Sequence, residues 1–144
     1  MVVAQRVAGH RTVPHTADLR IEAWAATREE CMAEALRGLV GSFAAVAGRQ
    51  SYRRDGRAMT ARSDEDLLVA LVDEVIYRLD ADGEIPVSVA VQVVPEGGMA
   101  VSFALVPVTA VEITGAAPKA ASLNELRCEP DATGWWSCGV TVDV

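Results

Sequence analysis

The sequence predicts an α+β domain in which two amphipathic helices pack on an antiparallel or mixed sheet built largely of hairpins. Three observations lead there. Two stretches of the first half repeat apolar residues at the helical period: Met32, Ala35, Leu36, Leu39, Val40 and Phe43, then Leu67, Leu68, Leu71, Val72, Val75, Ile76 and Leu79. The second half instead holds β-branched runs separated by turn residues. No GxGxxG or P-loop pattern lies between a strand and a helix, which argues against a doubly wound nucleotide-binding fold. At 144 residues the chain suits a single domain, 1–144, burying roughly two-thirds of its unfolded surface.

Taken in order, residues 1–13 are a lead-in whose Val2, Val3 and Val7 could begin a strand, with a pattern too weak to place it, and His10 reads as a solvated side chain. From Asp18 to Trp24 the alternation is clean, with Leu19, Ile21 and Ala23 on one face and Asp18, Arg20, Glu22 and Trp24 on the other. Thr27-Arg28-Glu29-Glu30 is a capping box opening the first helix, and Gly48 is a plausible stop. Residues 51–61 alternate poorly, and Asp55-Gly56 suggests a turn or bulge in an irregular or edge strand.

Ser63 caps the second helix, whose first-turn acids Asp64, Glu65 and Asp66 favour the positive end of its dipole, and Asp82-Gly83 ends it. Residues 87–94 and 100–106 form a hairpin around Pro95-Glu96-Gly97-Gly98. After Pro107 a strand over 108–114 starts at an edge or after a bend, and Gly115–Pro118 connects onward. Lys119–Cys128 and Trp135–Val144 flank Pro130–Gly134 as a second hairpin, with Trp135 and Trp136 on opposite faces.

A net charge of −7 and a scatter of basic residues argue against a groove that tracks nucleic-acid phosphates. Three cysteines without CxxC spacing suit neither a zinc site nor a disulfide framework and are expected as reduced thiols. With no signal-like leader and only short apolar runs, a soluble, cytoplasmic protein is expected, with no membrane association.

Catalytic constellations are scarce. With His10 and His15 the only histidines and no GxSxG elbow, a nucleophilic triad has little to stand on. Asp18 at a strand mouth and Asp143 near the chain end could be plain surface acids. If the fold joins these ends, their carboxylates meet that of Val144, and such an oxygen cluster calls for a cation. Lys119 is the only lysine, among twelve arginines. Asp73, Glu74 and Tyr77 fall on the polar side of the second helix, where a solvated face is the default.

These residues together resemble the archease family, small accessory proteins of the RtcB-type RNA-splicing ligase. The resemblance is carried by His15-Thr16-Ala17-Asp18 with Ala23-Trp24, by Thr27 with Glu29-Glu30, by Asp66-Leu67-Leu68, by Asp73-Glu74 with Tyr77, by Lys119-Ala120 and by Val142-Asp143-Val144. It departs after Lys119, where a Lys-Ala-x-Thr-Tyr-His-like run reads Lys119-Ala120-Ala121-Ser122-Leu123-Asn124. The resemblance implies a compact α+β activator rather than an enzyme, binding a divalent metal ion, calcium foremost, and promoting guanylylation and multiple turnover of the ligase in tRNA splicing and RNA repair. It implies Asp18, Asp143 and Val144 as metal ligands and Lys119 as necessary for activation, with His15, Asp73 and Glu74 grouped with it toward the partner. Direct tight binding of nucleic acid is not expected. The rival readings are a metal-dependent hydrolase using Asp18, Asp143 and His15, and a plain interaction or chaperone-like module.

Overall fold

The helical stripes and the hairpins both form, and the elements between them account for the differences from expectation. The computed structural model describes residues 6–14, 18–95 and 97–144. In chain order these give β1 (Gly9–Pro14), β2 (Asp18–Ala25), α1 (Arg28–Gly41), β3 (Ala44–Ala45), β4 (Arg53–Met59), α2 (Asp64–Tyr77), β5 (Glu84–Val93), β6 (Met99–Pro107), β7 (Glu112–Ile113), β8 (Ala120–Pro130) and β9 (Trp136–Asp143). Every pairing is antiparallel: β1-β2-β9-β8 in one sheet, β4-β6-β5 in a second, and the short pair β3-β7. The α+β expectation holds.

Helix α1 starts where Thr27 Oγ1 accepts from the Glu30 amide at 3.2 Å, while the Glu30 carboxylate turns away to Arg37 at 2.7 Å, so only half of the predicted capping box forms. The helix ends at Gly41, not near Gly48. Ser42 donates its hydroxyl to the Leu39 carbonyl at 2.6 Å, and the Phe43 carbonyl accepts from the Thr114 amide, which turns the chain into β3. Phe43 is buried from outside the helix rather than as its last stripe residue. Ser63 caps α2 as expected, through the Asp66 amide at 3.1 Å. The chain then widens into a π turn over Arg78–Asp82 and leaves it through Gly83 at φ 63°, a left-handed conformation that glycine adopts without strain.

Ile21, Ala23 and Ala25 of β2 and Cys138, Val140 and Val142 of β9 face the core with the stripes of both helices and with Met99, Val101, Phe103 and Leu105 of β6. Helix α1 lies against β1, β2 and β9 and also against β5, so it bridges the two large sheets, while α2 lies against β8. Arg37 of α1 donates to the Val89 carbonyl on the open side of β5 at 2.8 Å, which helps to cover an edge strand.

Several expectations need correction. The lead-in contains a full strand, β1, along the edge of the first sheet, and His10 bonds through Nδ1 to the Glu34 carboxylate at 2.9 Å rather than being only solvated. Asp55-Gly56 is neither turn nor bulge: β4 runs in register with β6 from Arg53 to Met59, and Gly56 leaves space for the Val101 carbonyl, which a Cβ there would meet at 2.6 Å. The strand expected over 108–114 reduces to a 3-10 turn at Val108–Ala110 followed by two-residue β7. The β5-β6 hairpin stands as predicted, and Glu96 of its turn lies outside the described residues, as do Val2, Val3 and His15-Thr16-Ala17. Among the described residues no helix is long and apolar enough to cross a membrane.

Candidate functional site

The register of the first sheet brings the two ends of the chain's reading together. Asp18, the first residue of β2, is directly opposite Asp143, the last of β9. Directly opposed residues share a face of the sheet with Cβ atoms about 5 Å apart, and like charges so placed repel unless something lies between them. Both acids lie on the face away from the helices, since Leu19, Ile21 and Val142 turn inward from the adjacent positions. The Asp18 Oδ1 atom is buried and has no hydrogen-bond partner among the described residues. A buried carboxylate oxygen without a donor is costly, and a cation relieves that cost.

The third strand closes the row. Ala120 of β8 is opposite Asp143 on its other side, and the Lys119 amide donates to the Asp143 carbonyl at 2.7 Å. Lys119 itself is exposed, so its ammonium is free to reach a partner from a backbone fixed beside the acid pair. Val144 follows Asp143 and is half-buried against the core. The structure thus gathers Asp18, Asp143, Val144 and Lys119 at one end of the sheet.

A cleft of about 310 Å³ opens beside Asp18, lined by Arg20, Asn124, Glu125 and Thr141. Its far wall comes from a break in β8, where pairing with β9 is lost between Ser122 and Arg127. Glu125 there has φ 53°, the one positive value on a non-glycine among the described residues, and bulges of this kind re-aim side chains. Arg20 donates to Thr141 Oγ1 at 3.2 Å and has no carboxylate within ion-pair distance among the described residues. It lies across Gly139, where any Cβ would collide with the guanidinium. Beyond it the face is charge-paired: Glu22 takes Arg11 at 2.7 Å and Arg127 at 3.6 Å, and the Arg11 hydrogen bond holds the Glu22 carboxyl below its ordinary value.

Sequence reasoning missed Arg20, Glu125 and Thr141 as cleft residues. Arg20 was accessible in principle, two positions after Asp18 on the polar face of the same strand. Glu125 was not, because the turn it makes carries no glycine to mark it.

Asp73 and Glu74 are placed elsewhere, on α2. The solvated face expected for both is half wrong: Glu74 is only 6% exposed. Its carboxylate is held by Arg57 at 2.9 Å and Arg78 at 3.0 Å, in a chain continuing from Arg78 to Asp55 at 2.8 Å, Asp55 to Arg53 at 3.6 Å and Arg53 to Glu84 at 2.7 Å. Asp73 and Glu74 both border a second cleft, of about 410 Å³, with Arg57, Met59, Thr60, Ala70 and Tyr77. Although much of Asp73 meets solvent, partial burial of its carboxyl raises its pKa from the ordinary value. The two clefts share no lining residue. His15 lies outside the described residues.

Among the described residues no three His, Cys, Asp or Glu side chains converge as a metal site. The donors at the strand end are the Asp18 and Asp143 carboxylates, to which Val144 can add main-chain oxygen. An all-oxygen set suits a hard cation such as calcium or magnesium rather than zinc or copper. The buried Asp18 oxygen, unpartnered among the described residues, fits that use.

A sequence profile of the Archease protein family (MTH1598/TM1083) matches residues 10–144. Proteins named "Probable protein archease" from two Mycobacterium tuberculosis strains are each 49% identical to this chain over 136 residues, covering 94% of it and 75% of their own length. The solution structure of Methanobacterium thermoautotrophicum protein 1598 matches with a TM-score of 0.71 and 17% identity, covering 94% of this chain and 99% of that one. At that identity the likeness is one of fold.

Proposed function

Since the chain belongs to the archease family, we propose that it is a metal-binding accessory protein that activates an RtcB-type RNA ligase. In this reading it promotes guanylylation and repeated turnover of the ligase in tRNA splicing and RNA repair. The observation that carries the metal half is the buried Asp18 Oδ1, without a hydrogen-bond partner among the described residues, opposite Asp143. Asp18 and Asp143 would hold a divalent cation, calcium foremost, with main-chain oxygen of Val144. When bound, the ion supplies positive charge that neutralises the opposed acids and orders the strand end.

The chain's own groups do the rest. Hydrogen bonding to the Asp143 carbonyl fixes the start of β8, so Lys119 is presented from a rigid backbone at the rim. A net charge of −7 disfavours RNA binding in its own right, so the RNA is left to the ligase. Asp73, on the exposed side of α2 beside Tyr77, offers a second contact, whereas Glu74, on the wall of the same cleft, is held by Arg57 and Arg78.

The test is RNA ligation by the cognate ligase under multiple-turnover conditions, with and without the protein. Activation appears as product exceeding one equivalent of ligase only when the protein is present. An unchanged ligase, or hydrolysis of simple phosphoesters by the protein alone, would contradict the assignment and favour the hydrolase reading.

A further inference from the structure

The three cysteines have no part in the reading above, yet they are not scattered. Cys31 of α1, Cys128 of β8 and Cys138 of β9 are all unpaired and buried, at 0%, 3% and 0% exposure. Their sulfurs converge: Cys138 Sγ lies 3.0 Å from Cys31 Sγ and 3.3 Å from Cys128 Sγ. Cysteine often serves as a small core hydrophobe, but a purely packing role needs no meeting of three sulfurs drawn from three elements.

We infer that Cys31 and Cys138 are a peroxide-responsive dithiol that closes to a disulfide, joining α1 covalently to the strand that ends in Asp143. Closing from 3.0 Å to a bonded S–S distance needs about 1 Å of travel. Cys31, in the first turn of α1, is the attacking sulfur because a helix N-terminus favours the thiolate, whereas the two neighbouring sulfurs and burial push Cys138 up. The oxidant is a small hydroperoxide admitted by local opening of α1. The Cys31 thiolate takes the terminal oxygen of hydrogen peroxide, giving a sulfenic acid and releasing hydroxide. The Cys138 thiol then attacks the sulfenic sulfur, its proton leaving with that oxygen as water, while the proton given up when Cys31 ionised neutralises the hydroxide of the first step. In sum two thiols and one peroxide become one disulfide and two waters.

The bond would act on the acid pair from beneath. Cys138 lies in β9, and the Cys31 sulfur is 3.5 Å from the Ala23 carbonyl of β2, the two strands that end in Asp143 and Asp18. Cys31 and Cys138 are 107 positions apart, so the link also removes much of the freedom of the unfolded chain.

The experiment treats the reduced full chain with a small excess of hydrogen peroxide, followed by intact mass, thiol counting after denaturation and peptide mapping. Expected are a loss of about 2 Da for two departing hydrogens, a fall from three titratable thiols to one, a Cys31–Cys138 cross-linked peptide, and a Tm increase that dithiothreitol reverses. Cys128→Ala should react like the parent, and Cys31→Ala should form no cross-link. Three thiols still free, added oxygen without a cross-link, or a link running through Cys128 would each overturn the inference. Because Cys128→Ala retains both reacting sulfurs, the outcome is readable even if Cys31→Ala folds poorly.

Discussion

Lys119 shows how little of a residue's role its burial fixes: its amide closes the β8-β9 pairing at 2.7 Å, while its ammonium is left to solvent. The backbone contact survives side-chain truncation. Lys119→Ala should therefore change folding stability by no more than about 0.5 kcal/mol while abolishing most stimulation of the ligase. Urea melts and ligation rates on one preparation check this, and a large stability loss with full stimulation would make the lysine structural. Asp131, in the β8-β9 turn, gives a second prediction at this scale. The Thr133 hydroxyl and Arg6 lower its pKa to about 2. A depressed carboxylate contributes stability that is complete above its ordinary value of 3.8 and is lost as pH falls through about 2. An NMR titration should find the Asp131 midpoint near 2 and, in Arg6→Ala, a midpoint moved up toward 3.8.

At the scale of elements, the run Arg57–Glu74–Arg78–Asp55–Arg53–Glu84 ties α2 to the β4-β6-β5 sheet. Its members differ in what they risk. Glu74→Ala removes one of the two counter-charges of the nearly buried Arg78, leaving it only Asp55, and should cost about 1.5–3 kcal/mol. Arg57→Ala removes a mostly exposed partner and should cost less than about 1 kcal/mol. Chemical denaturation of the two variants decides, and equal losses would show that the run is not organised by burial. Elements also show what the sequence could tell. Both helices and the β5-β6 hairpin were legible because one face of each is apolar and the period reports that face. Strand β1 was not, since GHRTVP is exposed on nearly every residue and carries no alternation to read, whereas β4 was legible as the edge strand expected over 51–61 but not in its unbroken register, because RRDGRAM is equally exposed. The helix end near Gly48 was misplaced because Phe43 and Ala44 continue an apolar pattern that Ser42 has already turned out of the helix. Within the site, Asp18 and Asp143 were legible from position in their strands, while the wall holding Asn124 and Glu125 arises from a loss of register that no local residue signals.

For the whole molecule, the three-strand end of one sheet unites residues from the start of the family match and from the far end of the chain, so the acid pair exists only in the folded state. A cation that binds it must then stabilise folding by RT ln(1 + [L]/Kd), about 2.7 kcal/mol at one hundred times Kd. The most direct measurement is a calcium titration of the metal-free protein, following Tm and binding heat, on the parent, Asp18→Asn and Asp143→Asn. The account predicts a saturable rise in Tm for the parent that is largely lost in both variants, with their metal-free Tm equal to or above the parent's because the opposed charges no longer repel. Equal calcium responses in all three proteins would contradict it.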